Sequence, residues 1–581
     1  MEIVFQYLDT ILIFACFALS LNLLQGYAGQ VSAAHAAFGA VGGYTLAYLF
    51  LNAHVGALQA LVLGTVLAGL AGLLVGFPAM RLTTEWLLLL TFALQTIVVS
   101  LVQANRQLGG TFGLQNITGL HVFGLPLDRP SQMFPVFLVL AAAVYFLCYR
   151  MGESPYGRVL RAIREDATAA RSVGKNVFAY KLTVFTLTAA MAGLAGVMLV
   201  IESAIASPSL FSFDQSAVII AMVVIGGPGN LNGSLVGVAV LTLLAPLFDH
   251  LLPFGEQVAF IARIIAYGVV LVVVLLVRPQ GLLPDTITRT LRRALDTGGE
   301  AVEVGAGEGV HPIAVAAPHA MPAARNGERE VVLSVSGLSK RFGGIVAAED
   351  LTFSLWRGHV SALVGPNGAG KTTVFNLLTG GVKPDAGRVL LRGEDITGST
   401  PDKIAHRGMV RSFQNVRIFP RLSALENVML AIPHQPGEHL GPLFANWPGT
   451  AAAERKAHAT ARQWLHFVGM GGHEDVPAGA LAFGQQKLVA LARVLATDAE
   501  VLLLDEPASG IDRQWVDAMV GVIAALRDAG RTVCIVEHNL HVVERLADHT
   551  YFMELGKITA EGDFAELTSD KRLAEAYFGV V

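Results

Sequence analysis

Gly365-Pro366-Asn367-Gly368-Ala369-Gly370-Lys371-Thr372 is the stretch whose reading decides the fold of the second half of the chain. The apolar run Val360–Val364 before it predicts a buried strand, and Thr373–Leu378 after it predicts the opening of a helix. Strand, glycine-rich turn and helix are the context a phosphate-binding loop requires. Glycines let backbone N–H groups curl around phosphate oxygens. The Lys371 ammonium reaches the outer phosphates and the Thr372 hydroxyl is placed to ligate Mg²⁺. The nucleotide-contact set expected from this loop is Gly365 through Thr373.

A second motif completes the chemistry. Val501-Leu-Leu-Leu-Asp505-Glu506 reads as a buried strand ending on two acids. Asp505 is suited to hold Mg²⁺ through water, and Glu506 to orient or deprotonate an attacking water. Paired acids after a strand also cap helices, but beside a phosphate loop the catalytic reading is the stronger. From Val331 onward strands alternate with helices, which predicts an α/β core with a parallel sheet.

The first half has a different composition. Over the whole chain 53% of residues are hydrophobic and 15% charged, against about 25% charged in an average soluble protein. Residues 1–149 hold seven Asp, Glu, Lys and Arg residues: Glu2, Asp9, Arg81, Glu85, Arg106, Asp128 and Arg129. Apolar runs long enough for about 30 Å of hydrocarbon need about 20 helical residues. Such runs lie at Ile3–Leu24, Ser32–Leu51, Ala57–Phe77, Glu85–Val102, Met133–Tyr149, Leu182–Ile201, Ser234–Leu252 and Val258–Val277, with a shorter one at Gln215–Ile225. The fold expected is a polytopic α-helical membrane domain of about nine spans over 1–283, a flexible Ala-, Gly- and Pro-rich tether over 284–330, and an α/β P-loop NTPase domain over 331–581.

The first run has no basic lead-in and reads as a retained span rather than a signal peptide. Basic residues cluster at 150–181 and again at Arg278, Arg289, Arg292 and Arg293, which places both regions in the cytoplasm and the N-terminus outside. Within the first cluster Leu160, Ile163, Ala167, Ala170 and Val173 recur at helical spacing. An interfacial helix held by lipid headgroups and a docking helix for an ATPase are both open. Gly26, Gly29, Gly39, Gly42 and Gly43, with Gln25, Gln30, Ser32 and His35 among them, form a polar break between spans. A substrate path and a plain loop are both open there. Cys16, Cys148 and Cys534 are too scattered for a disulfide framework or a zinc site. No basic stripe with interleaved aromatics supports a nucleic-acid partner.

With these motifs placed, the second half resembles the nucleotide-binding domain of ABC transporters. The resemblance implies ATP as substrate and Mg²⁺ as cofactor. It implies that Phe342 stacks on adenine, that Gln414 in Ser412-Phe413-Gln414-Asn415 senses Mg²⁺ and faces the permease, and that His538 contacts the γ-phosphate. Leu481-Ala482-Phe483-Gly484-Gln485 is similar to the signature motif, so Leu481, Ala482, Gly484 and Gln485 would face ATP held by an opposite cassette. Ser509-Gly510-Ile511-Asp512 resembles the loop that crosses the dimer interface. Position 482 is Ala where the family has Ser, which weakens the site this signature completes and makes two sites of a dimer unequal. The helix N-terminus and Gly484 backbone still favour an anion.

The first half resembles permeases for branched-chain amino acids. Gly26-Tyr-Ala-Gly-Gln-Val-Ser32 with His35-Ala-Ala-Phe38, Gly157-Arg-Val-Leu-Arg-Ala-Ile-Arg-Glu-Asp166, Ala221-Met-Val-Val-Ile-Gly-Gly-Pro-Gly229 and Arg278-Pro-Gln-Gly-Leu-Leu283 carry the likeness, as does the ending Ala576-Tyr-Phe-Gly579 in the ATPase half. The resemblance implies import across a bacterial inner membrane with the ATPase in the cytoplasm. Partners would be a second permease, a second ATPase and a periplasmic solute-binding protein, with a homodimer as an alternative. Urea, other amino acids and small aromatic acids stay open as solutes, as does the exporter reading, although exporters have six long spans with large cytoplasmic extensions. A membrane-anchored ATPase that moves nothing also stays open, but the polar breaks argue against a mere anchor.

Overall fold

The computed structural model describes residues 1–122, 125–251, 256–285 and 330–569. The tether expected at 284–330 lies, from 286 to 329, outside the described residues, as do Arg289, Arg292, Arg293 and the Ala576–Gly579 ending. The chain forms two compact units: Met1–Arg164 with Val177–Arg289, and Glu165–Asn176 with Thr290–Val581.

The first unit is helical. Its helices are α1 (Glu2–Asn22), α2 (His35–Ala53), α3 (Ala57–Ala79), α4 (Thr84–Ala104), α5 (Pro130–Gly152), α6 (Pro155–Glu165, whose last residue joins the other unit), α8 (Val177–Ser203), α9 (Phe213–Gly226), α10 (Leu231–Leu251) and α11 (Glu256–Val277). Nine of them fall on the nine apolar runs. Among the described residues, six helices are long and apolar enough to cross a membrane: α1 continued to Tyr27, α2, α3, α4, α5 and α8. α9 has 14 residues, about 21 Å at 1.5 Å per residue, so it falls short of the hydrocarbon thickness. Apolar side chains such as Leu74, Trp86, Leu89 and Leu101 stand exposed on α3 and α4, as a lipid-facing surface requires.

Small residues bring α2, α3 and α8 into main-chain contact. A Cβ on Gly42 would sit 2.2 Å from the Gly193 carbonyl oxygen, and one on Gly196 would sit 2.0 Å from that of Gly39. One on Gly64 would lie 2.7 Å from the Gly42 oxygen. No side chain fits at these crossings.

The polar break after α1 is buried in protein. α1 passes into a π-turn, Leu23–Tyr27, and α2 starts at His35. The amides at the start of α2 find side-chain acceptors. Ala33 N–H donates to Thr91 Oγ1 at 3.1 Å, Ala36 N–H to Ser216 Oγ at 3.2 Å, and Ala37 N–H to Gln95 Oε1 at 2.7 Å. Gln95 Nε2 donates to the Phe211 carbonyl at 2.6 Å. The amides of Ala33, Ala36 and Ala37 are thus satisfied locally, as apolar surroundings demand, whereas the buried His35 ring nitrogens have no hydrogen-bond partner among the described residues.

Four of the distant sequence blocks meet at one place. Asn22 Nδ2 donates to Asn230 O at 2.8 Å and to Ser234 Oγ at 2.7 Å, while its Oδ1 accepts from Gly229 N–H at 2.8 Å. Leu282 and Leu283 N–H donate to the carbonyls of Ile225 and Gly226 at 2.8 and 2.9 Å. The Arg164 guanidinium donates to the Gly26 carbonyl.

The second unit holds the α/β core. Its strands are β1 (Val331–Phe342), β2 (Ile345–Trp356), β3 (Val360–Val364), β4 (Ala386–Leu391), β5 (Glu394–Asp395), β6 (Met409–Arg411), β7 (Val501–Asp505), β8 (Thr532–Val536), β9 (His549–Glu554) and β10 (Lys557–Gly562). One sheet has the order β10-β9-β3-β8-β7-β6, parallel except for the edge pair β9–β10. The other, β2-β1-β4-β5, is antiparallel. β3, β7 and β8 are buried at every residue, the pattern of parallel strands covered on both faces. In register, Leu363, Val536 and Asp505 lie side by side, so the loops after β3, β7 and β8 open at one edge, where open α/β sheets bind ligands.

The basic stretch forms two helices, not one continuous docking helix. α6 ends at Glu165, and Asp166 leaves helical conformation to cap α7 (Ala167–Ser172), accepting from Thr168 and Ala169 N–H at 2.8 and 2.9 Å. Aspartate favours this role because its carboxylate satisfies amides that a new helix leaves free. Residues Glu165–Asn176 pack within the second unit.

Candidate active site

The loop Gly365–Gly370 leaves β3 and enters α12 (Lys371–Leu378). Two of its glycines are obligatory. Gly365 has φ +152°, and a Cβ there would meet the Met553 carbonyl at 2.0 Å; Gly370 has φ +105° and would meet that of Ala347 at 2.2 Å. Lys371 Nζ folds inside the loop, donating to the carbonyls of Gly365 and Pro366 at 2.7 and 2.9 Å. Burial lowers its pKa, opposed by Glu506 and Asp505. Asn367, Gly368 and Thr372 are exposed, Ala369 is buried, and Pro366 and Thr373 are half-buried.

Asp505 ends β7 and is buried. Its Oδ2 accepts from Arg411 Nη2 at 2.6 Å, and Arg411 Nη1 donates to Asn376 Oδ1 on α12 at 2.6 Å. Burial raises the Asp505 carboxyl, and Arg411 works against that. Its Oδ1 is buried without a protein hydrogen-bond partner. An orphaned carboxylate oxygen at the end of β7 suits a hard cation that keeps most of its ligands as water and phosphate oxygens. Thr372, Gln414 and Asp505 are the residues available for that role.

Glu506 brings together two residues far from it in sequence. Gln414 Nε2 donates to Glu506 Oε1 at 3.0 Å, and His538 Nε2 lies 3.2 Å from the same oxygen. A carboxylate only accepts, so the ring hydrogen sits on His538 Nε2. Glu506 itself has φ +48°, a conformation that costs a non-glycine residue about 1–3 kcal/mol. Neighbours hold it there. Its N–H donates to Val536 O at 2.8 Å. Lys487, on α13 (Phe483–Leu495), donates through Nζ to the carbonyls of Glu506 at 3.1 Å, Pro507 at 3.3 Å and Ser509. Glu537 spans the same turn, accepting from Ala508 N–H at 2.7 Å and from His538 N–H at 3.2 Å. Burial raises the Glu537 carboxyl, against those backbone donors.

Sequence reasoning missed Arg411, Lys487 and Glu537 as site-builders. A charged residue closing the apolar run Met409-Val-Arg411 was the one available signal. Leu481, Ala482, Gly484 and Gln485 make no hydrogen bond to the phosphate loop among the described residues. They open α13, where Gln485 Oε1 accepts from Ala482 N–H at 3.0 Å. This is half a capping box, since alanine offers no oxygen for the return bond. Phe342, at the end of β1, is half exposed, with Lys340 Nζ 5.6 Å from its ring centre. Ser509, Gly510 and Asp512 are exposed and Ile511 is half-buried.

Comparison with known proteins also divides the chain in two, with Glu165–Asn176 falling in the first match although they pack in the second unit. Residues 3–277 match the family described as branched-chain amino acid transport system / permease component, and residues 348–509 match the ABC transporter family. The high-affinity branched-chain amino acid transport ATP-binding protein BraF of Pseudomonas aeruginosa is 38% identical over 250 residues, 43% of this chain and 98% of its own length. LivG of Escherichia coli, described in the same words, is 36% identical over 249 residues, again 43% and 98%. A crystal structure of a nucleotide-free ATP-binding cassette from an ABC transporter is 32% identical with a TM-score of 0.37, covering 42% of this chain and 98% of that one.

Proposed function

This chain belongs to the ABC transporters, with a membrane half of the branched-chain amino acid permease family joined to an ATP-hydrolysing cassette, and on that premise we propose that it imports branched-chain amino acids. Its membrane would be the inner membrane of a bacterium, with the cassette in the cytoplasm. Its partners would be a second permease, a second cassette and a periplasmic solute-binding protein.

The observation that carries the mechanism is the meeting of Gln414 and His538 on Glu506 Oε1. Lys371, Thr372 and the loop amides would hold the ATP phosphates. Mg²⁺, held by Thr372, Gln414 and Asp505, would neutralise charge on the transferring phosphoryl group. Glu506 would accept the proton of the attacking water, and the single ring N–H of His538, which faces Glu506 here, would turn to the γ-phosphate once ATP is bound. Phe342 would stack on adenine. Leu481, Ala482, Gly484 and Gln485 would complete the site of an opposite cassette, and Ala482 supplies no hydroxyl there.

The coupling route is short. Arg417 Nη1 pairs with Asp166 Oδ2 at 2.9 Å, three residues beyond Gln414. Displacement of α7 would therefore pull on the segment that donates to Glu506. The test is leucine uptake by vesicles holding the assembled complex and its binding protein. Glu506→Gln is expected to abolish uptake while ATP binding persists; normal uptake by that variant would sink the assignment.

A further inference from the structure

α7 has six residues and is capped at both ends by groups that also grip the rest of the second unit. At its N-terminus, Asp166 Oδ1 accepts the cap amides while Oδ2 pairs with Arg417. At its C-terminus, Gly174 has φ +86°. Gly174 N–H donates to Arg171 O at 3.0 Å and Lys175 N–H to Ala170 O at 3.1 Å. These two bonds close the helix in a Schellman motif and fix where Lys175 points. Its Nζ donates to both oxygens of Glu438, at 2.6 and 2.7 Å. Both residues are buried, Lys175 at 5% and Glu438 at 9% exposure.

Glu438 is equally fixed. It closes the single turn Pro436–Glu438, and its N–H donates to Gln435 O at 3.1 Å. Buried Gln435 is pinned through Nε2 to the carbonyls of Met429 and Ile432, at 2.7 and 2.9 Å.

A buried ion pair is a poor way to gain stability, because desolvating both ions offsets their attraction. Its better-attested use is to specify register and partner, since a mismatched charge would be left buried alone. We infer that Lys175–Glu438 is the selectivity contact by which this cassette accepts one permease segment and no other. Its ligand is a short helix with a carboxylate at its N-cap and a cation just past its terminal glycine. The inference rests on the transporter reading above. Joining both halves in one chain supplies proximity but not register, so a charge key has work left to do in an assembly of two permeases and two cassettes.

The experiment uses the full chain in the assembled complex, with Lys175→Glu, Glu438→Lys and the double exchange. Each single variant buries two like charges face to face. Each is expected to lower leucine moved per ATP hydrolysed by at least about tenfold, with ATP binding retained. The double exchange is expected to recover most of that ratio. Lys175→Met with Glu438→Leu guards against misfolding: it should assemble, and the inference expects it to admit Lys175→Glu segments of a co-expressed chain no better than its own. Single variants that couple normally, or a double exchange no better than either single, overturn the inference. Absence of uptake by the unaltered chain would instead overturn the transporter reading.

Discussion

In the membrane unit the buried hydrogen bonds described above are carried mainly by neutral side chains, Asn22, Thr91, Gln95 and Ser216, with the half-buried Arg164 the exception. In the second unit they are carried by charges: Lys371, Arg411, Asp505, Lys487, Arg493 and Glu537 are all buried. The difference follows from what each unit does. A helix surrounded by hydrocarbon has no water to fall back on, and a neutral amide meets its needs with one or two neighbours. A cassette that handles phosphates needs fixed charges, and each must be paired to be kept inside. Arg493 shows the expense of this. It lies over the Phe419 ring, 4.9 Å from its centre, donates to the Arg417 carbonyl at 2.5 Å, and burial lowers its pKa to about 10.

The largest effect should come from breaking a charged pair. Arg411→Ala leaves Asp505 buried alone and is expected to destabilise the second unit by about 3–5 kcal/mol, read by thermal denaturation of the purified complex. Arg411→Lys should recover part of it. A change no larger than that of an exposed arginine would mean the two units do not differ in this way.

Next comes the membrane seam. Gly196→Leu, with its first carbon 2.0 Å from the Gly39 oxygen, should cost about 1–3 kcal/mol or more through overpacking, seen as loss of folded chain in detergent. Asn22→Ala strands its three partners and should cost about 1–3 kcal/mol. If Asn22→Ala proved costlier than Arg411→Ala, the comparison would be reversed. The smallest effect is a gain. Ala482→Ser completes the capping box of α13, worth about 0.5–2 kcal/mol, and should raise ATP hydrolysis by the assembled complex. Unchanged hydrolysis would show that the missing hydroxyl leaves the two ATP sites equal.

Legibility in the sequence also differs between the units. The phosphate loop, the strand ending at Asp505 and the nine apolar runs are contiguous, so they can be read directly. Gln414 and His538 were visible as motifs, but not that both end on one oxygen of Glu506. Lys487, Arg411 and Glu537 were silent because a charge inside an apolar run declares its burial and not its partner. In the membrane unit the glycines between residues 24 and 44 suggested a break with two open explanations. The acceptors that explain their surroundings, Thr91, Gln95 and Ser216, sit tens of residues away, on α4 and α9.

Side chains can trade rotamers when helices shift, but a seam of carbonyls against bare α-carbons has nothing to trade. Gly39 and Gly42 on α2, Gly64 on α3, and Gly193 and Gly196 on α8 therefore weld three helices into one strut. Any pair of shapes facing opposite sides of the membrane must share that strut unaltered. A swing between them would then fall on α4 and α9, whose hydrogen bonds to the start of α2, through Thr91, Gln95 and Ser216, can re-form.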